Sequence, residues 1–378
     1  MVIIMMKSKI LVYLISVLVI IGGIFIFWYI FNTYKQKVKT TEELTAQSQT
    51  EQTQSELFSK LQERTDYKFG SLGTPEKESL PKLASMEIYW IRPHPGEVIW
   101  DKIEDKSGSY NWKPVDEYIK KAQSLGVHVF LTIWPYAEWD QDECHSDLPS
   151  TPDPFGRVLP ERKGIPCDWG RYQKFLSALV ERYDGDGQED MPGLIYPVNY
   201  FEIGNEPEMH EGNNIFFQGT PEDFAILLKK SSEPMRKANP DVKILHGGIA
   251  SSGDFSKEFW GKVFSQEGIS EHFDIANVHD LQGAADANVE FIKNLLKENG
   301  ITEKPIWVTE FTLFDQPMAG PPSGASDQQQ KQPMNRFNDR VKEAFSAGAE
   351  KIFLLLPRPQ DIDEQISSLL KQVIAENS

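Results

Sequence analysis

Hydrophobic and polar residues are distributed along the chain in three regimes. From Ile10 to Phe31, 22 successive residues carry no charge (ILVYLISVLVIIGGIFIFWYIF). At about 1.5 Å per residue such a helix crosses a hydrocarbon core of ~30 Å, and Trp28 and Tyr29 stand at its outer end as interfacial aromatics do. A cleaved signal peptide would have a shorter apolar run and a small-x-small cleavage site, so this segment reads as an uncleaved signal anchor. Its orientation is left open by charge, because Lys7 and Lys9 precede it while Lys35, Lys37 and Lys39 follow. A Gln/Thr/Glu/Ser-rich tract from Thr40 to about Ser55 then reads as a solvated stalk. The expected organisation is a short flank (1–9), a transmembrane anchor (10–31), a polar stalk (32–64) and one folded domain (65–378).

In that domain, apolar runs alternate with helical periodicity. Strands are expected near Tyr67–Leu72, Met86–Arg92, Val127–Ile133, Val198–Gly204, Val242–Gly248, Phe273–His279, Pro305–Phe311 and Lys351–Pro357. Amphipathic helices fall between them. Val115, Tyr118, Ile119 and Ala122 line one face, and Tyr172, Phe175, Leu176, Leu179 and Val180 follow the i, i+3, i+4, i+7, i+8 pattern. Ile366, Leu369, Leu370, Val373 and Ile374 repeat it. Eight strands, each followed by a helix-sized segment, predict an α/β fold, a (β/α)₈ TIM barrel behind the N-terminal helix. A doubly wound sheet is the alternative, but no Gly-rich phosphate loop follows the first strand.

Composition narrows the partners. Lys plus Arg number 39 and Asp plus Glu 56, a net charge of −17, and no basic run interrupts this, so nucleic acid is not an expected partner. Two cysteines leave room for one disulfide and for no multi-Cys zinc scaffold. Both, Cys144 and Cys167, flank a proline-rich excursion after the third strand that has no periodicity to hold it. A Cys144–Cys167 bridge is expected, closing 22 intervening residues and removing roughly 3 kcal/mol of unfolded-loop entropy. It requires an oxidising compartment, which would place the domain outside the cytoplasm; the alternative is two buried free thiols in a cytosolic domain.

Candidate chemistry lies at the C-terminal ends of the strands, where barrel enzymes gather their functional groups. The fourth strand runs out through Tyr200-Phe201-Glu202-Ile203-Gly204-Asn205-Glu206-Pro207, and the seventh through Ile306-Trp307-Val308-Thr309-Glu310-Phe311. Carboxylates there are costly to bury, and two facing one cleft is what glycoside hydrolysis requires. A retaining pair would stand about 5–5.5 Å apart. Glu202 should project into the barrel below the site and need a cationic or hydrogen-bonding partner, a structural role.

Asn205-Glu206-Pro207 and Thr309-Glu310 resemble the acid/base and nucleophile motifs of clan A retaining glycoside hydrolases. Trp100-Asp101-Lys102-Ile103-Glu104, Gly108-Ser109-Tyr110-Asn111-Trp112 and Val115-Asp116 resemble the stretch linking strands two and three in that clan. Asn239-Pro240-Asp241-Val242-Lys243 and Gly247-Gly248 resemble the approach to strand five. The resemblance covers about residues 86–313. It implies double displacement on a β-glycoside without metal or cofactor, with Glu310 attacking the anomeric carbon and Glu206 serving as acid and then base. An ionised Glu310 would help keep Glu206 protonated. Asn205 would hydrogen-bond the sugar 2-hydroxyl, and Arg92 would hold Glu310 ionised or form a structural salt bridge.

The sequence also departs from the clan. His279 ends strand six, but Leu281 stands where a Tyr often follows. Leu354-Leu355-Leu356-Pro357-Arg358 replaces a strand-eight Trp. Trp134 and Trp139 are candidates for that sugar-stacking floor, or else packing residues. Asp184-Gly185-Asp186-Gly187 with Asp190 lacks the later positions of an EF-hand and reads as a solvated turn. His145 and His210 read as surface or rim residues, and residues 316–333 as a long loop beside the nucleophile strand. The expected protein is a single-pass, membrane-anchored glycoside hydrolase facing outward, with a carbohydrate substrate. The rivals are a catalytically idle glycan-binding barrel, which the two departures favour, and a metal-dependent hydrolase, which would need clustered strand-end ligands.

Overall fold

The computed structural model describes residues 2–73, 80–151, 156, 158–209, 215–281, 283–302, 304–313, 336–356 and 362–378. His210, residues 316–333, and Pro357 with Arg358 lie outside the described residues. The chain divides into two units, Met1–Glu56 and Leu57–Ser378.

The first unit is helical, within α1 (Val2–Arg64). Ser16–Lys39 is a 24-residue stretch of mean hydropathy 2.0, long and apolar enough to cross a membrane, and its large side chains such as Phe27 and Trp28 are exposed. The tract read as a stalk is helical, in keeping with its Gln and Glu content.

The second unit begins eight residues before the expected boundary at 65 because the end of α1 is part of it. Leu61 is fully buried, and its carbonyl lies 2.7 Å from His128 Nε2. The Arg64 carbonyl accepts from Trp90 Nε1 at 3.2 Å.

Among the described residues nine short strands follow: β1 (Phe69–Gly73), β2 (Trp90–Pro93), β3 (His128–Val129), β4 (Leu131–Ile133), β5 (Tyr200–Ile203), β6 (Lys243–His246), β7 (Ala276–Asp280), β8 (Ile306–Thr312) and β9 (Ala349–Leu355). All pair in parallel, in the orders β3-β2-β1-β9-β8-β7 and β4-β5-β6. β3 and β4 are halves of one stave, interrupted at Phe130, whose N–H donates to the Ile91 carbonyl. Bridges Leu245–Ile275 and Ile249–Val278 join β6 to β7 and close the ring. The eight expected strands are therefore the eight staves of a (β/α)₈ barrel.

Helices α2 (Leu80–Ser85), α3 (Trp100–Ile103), α4 (Lys113–Ser124), α5 (Glu138–Cys144), α6 (Trp169–Tyr183), α7 (Pro221–Ala238), α8 (Asp254–Phe264), α9 (Ala285–Glu298), α10 (Phe337–Ala347) and α11 (Glu364–Asn377) surround the staves. They bury the faces read from periodicity: Val115, Tyr118, Ile119 and Ala122 on α4, and Tyr172, Phe175, Leu176, Leu179 and Val180 on α6. Alternation along each stave separates two cores. Ile91, Phe201, Val278 and Val308 belong to the outer core with the helices, while Trp90, Phe130, Leu245, Ile275, Trp307 and Phe353 fill the barrel.

Cys144 and Cys167 form the expected disulfide, with Cα atoms 5.8 Å apart. The excursion it closes is also pinned from α5. The buried Asp140 carboxylate accepts from the Cys167 and Asp168 amides at 2.9 and 2.8 Å, and Gln141 Oε1 accepts from Gly164 N at 2.7 Å.

Candidate active site

The site is built where barrel alternation continues upward into polar residues. Arg92, Thr132, Glu202 and Asn277 follow the inward positions of β2, β4, β5 and β7, and all are buried. Glu202 is the acceptor at their centre. Arg92 donates to its Oε2 through Nε at 2.9 Å and approaches with NH2 at 2.7 Å. Thr132 Oγ1 donates at 2.6 Å to the same oxygen, while Asn277 Nδ2 and Gly248 N supply Oε1 at 2.5 and 3.2 Å. A carboxylate with every lone pair engaged supports its neighbours without being free to react. It sits in the barrel interior with the partner type its burial demanded.

Glu310 reaches the interior by a departure from alternation. Trp307 points inward and Val308 outward, so a regular pleat would turn Thr309 in and Glu310 out. The β7–β8 register shifts after Val278, pairing His279 with Glu310, and the β8–β9 register shifts between Val308 and Phe311. This bulge turns both residues inward. Thr309 Oγ1 donates to Asn277 Oδ1 at 2.6 Å, and Glu310 Oε1 accepts from Arg92 NH1 at 2.9 Å.

Glu206 arrives by a turn. Gly204 (φ 69°) and Glu206 (φ 40°) both adopt left-handed backbone, a cost on the order of 1 kcal/mol for the glutamate. Its N–H donates to the Gly248 carbonyl at 3.1 Å. Gly248 must be glycine, because a Cβ there would stand 1.9 Å from His279 Nε2.

His279 joins the two candidate acids. Its Nδ1 shares a 2.7 Å hydrogen bond with Glu206 Oε1, and its Nε2 lies 3.7 Å from Glu310 Oε1. One carboxylate oxygen of each glutamate and a His279 nitrogen all lie within 4.8 Å of one another. Asn205 Oδ1 accepts from Arg92 NH2 at 2.7 Å. The sequence thus brings Arg92, Asn205, Glu206, His279 and Glu310 into one cluster.

Electrostatics separates the acids. Burial, with the Glu202 charge behind it, pushes Glu206 up to about 7 against the pull of Arg92. Burial, more than the charge of Glu310, is therefore what keeps Glu206 protonated. Glu310 is also raised by burial and by the neighbouring Glu206, while His279 and the directly bonded Arg92 guanidinium draw it back. Of the two candidate acids, Glu310 is the one with a guanidinium hydrogen bond among the described residues to hold its anion. Burial lowers His279, so its imidazole is neutral. Two carboxylates and an imidazole are also a metal-ligating set. Here Arg92 already supplies a cation on Glu310, which a metal would have to displace.

The two tryptophans have packing partners. Trp134 is fully buried, with Nε1 donating to the Pro95 carbonyl and its ring beside His94 and Phe216. Trp139 lies under the Arg171 guanidinium at 3.8 Å, contacts Trp100 and donates to the Glu104 carbonyl at 3.2 Å. Asp184, Asp186 and Asp190 form a turn in which Asp190 accepts from Gly185 N and Gly187 N. His145 is half-buried on the Ile165 carbonyl at 2.8 Å.

Thr132 and Asn277, which no motif contained, complete the site together with Thr309 and Gly248, which stood in quoted motifs without a role, and Glu208, buried behind Glu206 with Oε1 accepting from Ala250 N and Ser256 Oγ. Inward alternation of polar residues at stave ends was the available signal for Thr132 and Asn277.

Comparison with known proteins gives the same fold. Residues 164–351 match the family model of a glycosyl hydrolase catalytic core. No curated protein matches the chain. Among solved structures, the chain is similar to a GH39 β-xylosidase from Caulobacter crescentus, with 13% identity, TM-score 0.61, and 82% of this chain and 71% of that one covered. A glucosidase from Croceicoccus marinus aligns with 15% identity, TM-score 0.56, and 82% and 67% coverage. An endo-1,4-β-mannanase from Rhizomucor miehei aligns with 11% identity, TM-score 0.53, and 82% and 95% coverage. The family match and these neighbours agree with the clan A resemblance carried by the motifs.

Proposed function

Taking the glycosyl hydrolase core in a clan A-type barrel as the premise, we propose that the chain is a retaining β-glycosidase acting by double displacement. The observation that carries the reading is the Glu206–Glu310 pair, with carboxylate oxygens within 4.8 Å and only one acid bonded to a guanidinium. That closeness favours direct attack over the wider spacing of an inverting pair. Glu310, held anionic by Arg92, attacks the anomeric carbon while Glu206 delivers its proton to the leaving oxygen. Glu206 then takes a proton from the water that releases the sugar. Asn205, its carbonyl oxygen occupied by Arg92, has its amide N–H₂ to offer the 2-hydroxyl. His279 hydrogen-bonds the acid/base and fixes its orientation.

The Ser16–Lys39 stretch supports a membrane anchor, and the Cys144–Cys167 bridge supports a domain on the oxidising side. Assay on a panel of 4-nitrophenyl β-glycosides tests the activity. Glu206→Gln should lose most turnover on substrates with poor leaving groups and recover it with added azide on activated ones. A Glu206→Gln variant with ordinary activity would contradict the assignment. A barrel that binds oligosaccharide but turns over nothing on the panel would be the glycan-binding alternative.

A further inference from the structure

The inner core of the barrel ends upward in two leucines. β1 and β9 pair in regular register, Gly70 opposite Phe353 and Leu72 opposite Leu355. Phe353 belongs to the inner core, and a Cβ on Gly70 would run into its ring, so both positions point into the barrel. Phe69, Ile352 and Leu354 point the other way, into the core shared with the helices. Alternation therefore turns Leu72 and Leu355 inward, one layer above Phe353. Both are half-buried, and Leu72 is the one residue of β1 that is not buried. Neither belongs to the inner or the outer core, whereas the next residue, Leu356, packs outward. Leu72 also pairs with Arg92 of β2, and Leu355 with Thr312 of β8, two residues past Glu310. The leucines thus carry an apolar surface from the Arg92 stave to the Glu310 stave, at the level of the charged cluster.

We propose that Leu72 and Leu355 are the floor on which the sugar ring rests, and that they select glycosides whose C5 carries hydrogen or methyl over those whose C5 carries hydroxymethyl. The inference rests on the double-displacement reading, which orients the ring. The anomeric carbon lies at Glu310 and the 2-hydroxyl at Asn205, just past β5. C2 then leads toward β5, and the ring oxygen and C5, on the other side of the anomeric carbon, lead away from it. His279 fills the β7 side between the two acids. The ring therefore extends over β9 and β1. Two isobutyl side chains offer it dispersion and exclusion of water, with no donor or acceptor. A methyl group gains from that contact, and a hydroxyl pressed against it gives up water for no partner.

The test compares kcat/KM of the full-length chain on 4-nitrophenyl β-D-fucoside against β-D-galactoside, and on β-D-xyloside against β-D-glucoside. The first pair differs by one hydroxyl and the second by the whole hydroxymethyl group. Wild type should favour the first member of each pair it turns over by roughly tenfold. Leu355→Asn, which sets an amide beside the C5 substituent, should cut that ratio to about threefold or less. Leu72→Asn should narrow it in the same direction and stands in should Leu355→Asn not fold. The readout is a ratio between two substrates of one preparation, which a loss of folded protein does not move. A wild type without the preference, or a preference that both variants keep, would overturn the floor. Calorimetric titration with the methyl β-glycosides of the same four sugars separates the two levels. A binding preference that the variants lose, with no turnover, refutes double displacement and keeps the floor. Turnover without the preference refutes the floor alone, and neither binding nor turnover refutes both.

Discussion

The two ends of the barrel bury charge in opposite ways. At the N-terminal mouth, Lys351 is 5% exposed, donates to the backbone carbonyls of Thr65 and Tyr67, and lies 4.5 and 5.3 Å from the Trp90 and Trp307 ring centroids. Around it, the end of α1 caps the staves with Leu61, and Trp90 Nε1 donates to the Arg64 carbonyl. One cation meets neutral acceptors and ring faces, and nothing is left to react. At the C-terminal face, Glu202, Glu310 and Asn205 crowd a single guanidinium, and Glu206 leans on a neutral imidazole. Only a site that must exchange protons keeps acids so incompletely neutralised. Burial disfavours charge at both ends, at Lys351 as at Glu206, but only at the top does it bear on several acids gathered beside one guanidinium.

Substitutions at the two ends should therefore split activity from stability. Glu310→Gln should abolish turnover on every glycoside, by roughly 10⁴-fold or more, because no nucleophile remains. It should leave the melting temperature unchanged or slightly higher, since a buried carboxylate becomes neutral while Glu202 and Asn205 still engage Arg92. Leu61→Ala should do the reverse, costing about 2–5 kcal/mol with kcat unchanged. Paired Tm and kcat measurements check both. A large stability loss in the first variant or a large kcat loss in the second would collapse the comparison.

A smaller effect sharpens the contrast through pH. Glu206 and Glu208, raised from 4.5 to about 7, bind protons more tightly folded than unfolded. Their contribution to stability is full below about 4.5 and lost as pH rises through about 7. Lys351 is pushed down by burial from 10.5 to about 7. Between those values the unfolded chain keeps a proton that the folded one releases, so its contribution rises with pH. Glu208→Gln should gain on wild type from about pH 5 to 8, by on the order of 2 kcal/mol. Lys351→Met should have its greatest advantage below about pH 7 and lose it toward about pH 10. Denaturation midpoints across pH 4–10 read both, and parallel curves for variants and wild type would count against the account.

What was legible in the sequence follows from how local its cause was. The staves and the buried faces of α4 and α6 are period-two and helical patterns, and both end up where those patterns direct. The glutamate pair was found through its motifs, but pleat counting did not place either acid. The bulge at Thr309 turns Glu310 inward against alternation, and the left-handed turn at Glu206 ends the pleat altogether. Glu208 was silent because its donors come from residues 250 and 256, which no local spacing links to it. Trp139 looked suited to a sugar, yet its ring face is taken by Arg171, 32 positions later. The end of α1 read as stalk because Leu57, Phe58 and Leu61 are a single short apolar cluster in a polar tract until His128 and Trp90 are brought beneath it.

The central claim is that Glu310 attacks carbon while Glu206 manages the proton. It is tested most directly by trapping the glycosyl-enzyme. Incubation with 2-deoxy-2-fluoro-β-glycosides bearing a good leaving group, followed by proteolysis and mass spectrometry, should place one sugar on the peptide containing Glu310. Product released from an ordinary β-glycoside should first appear as the β-anomer by NMR. Label on any other residue, or a first-formed α-anomer, would contradict the account.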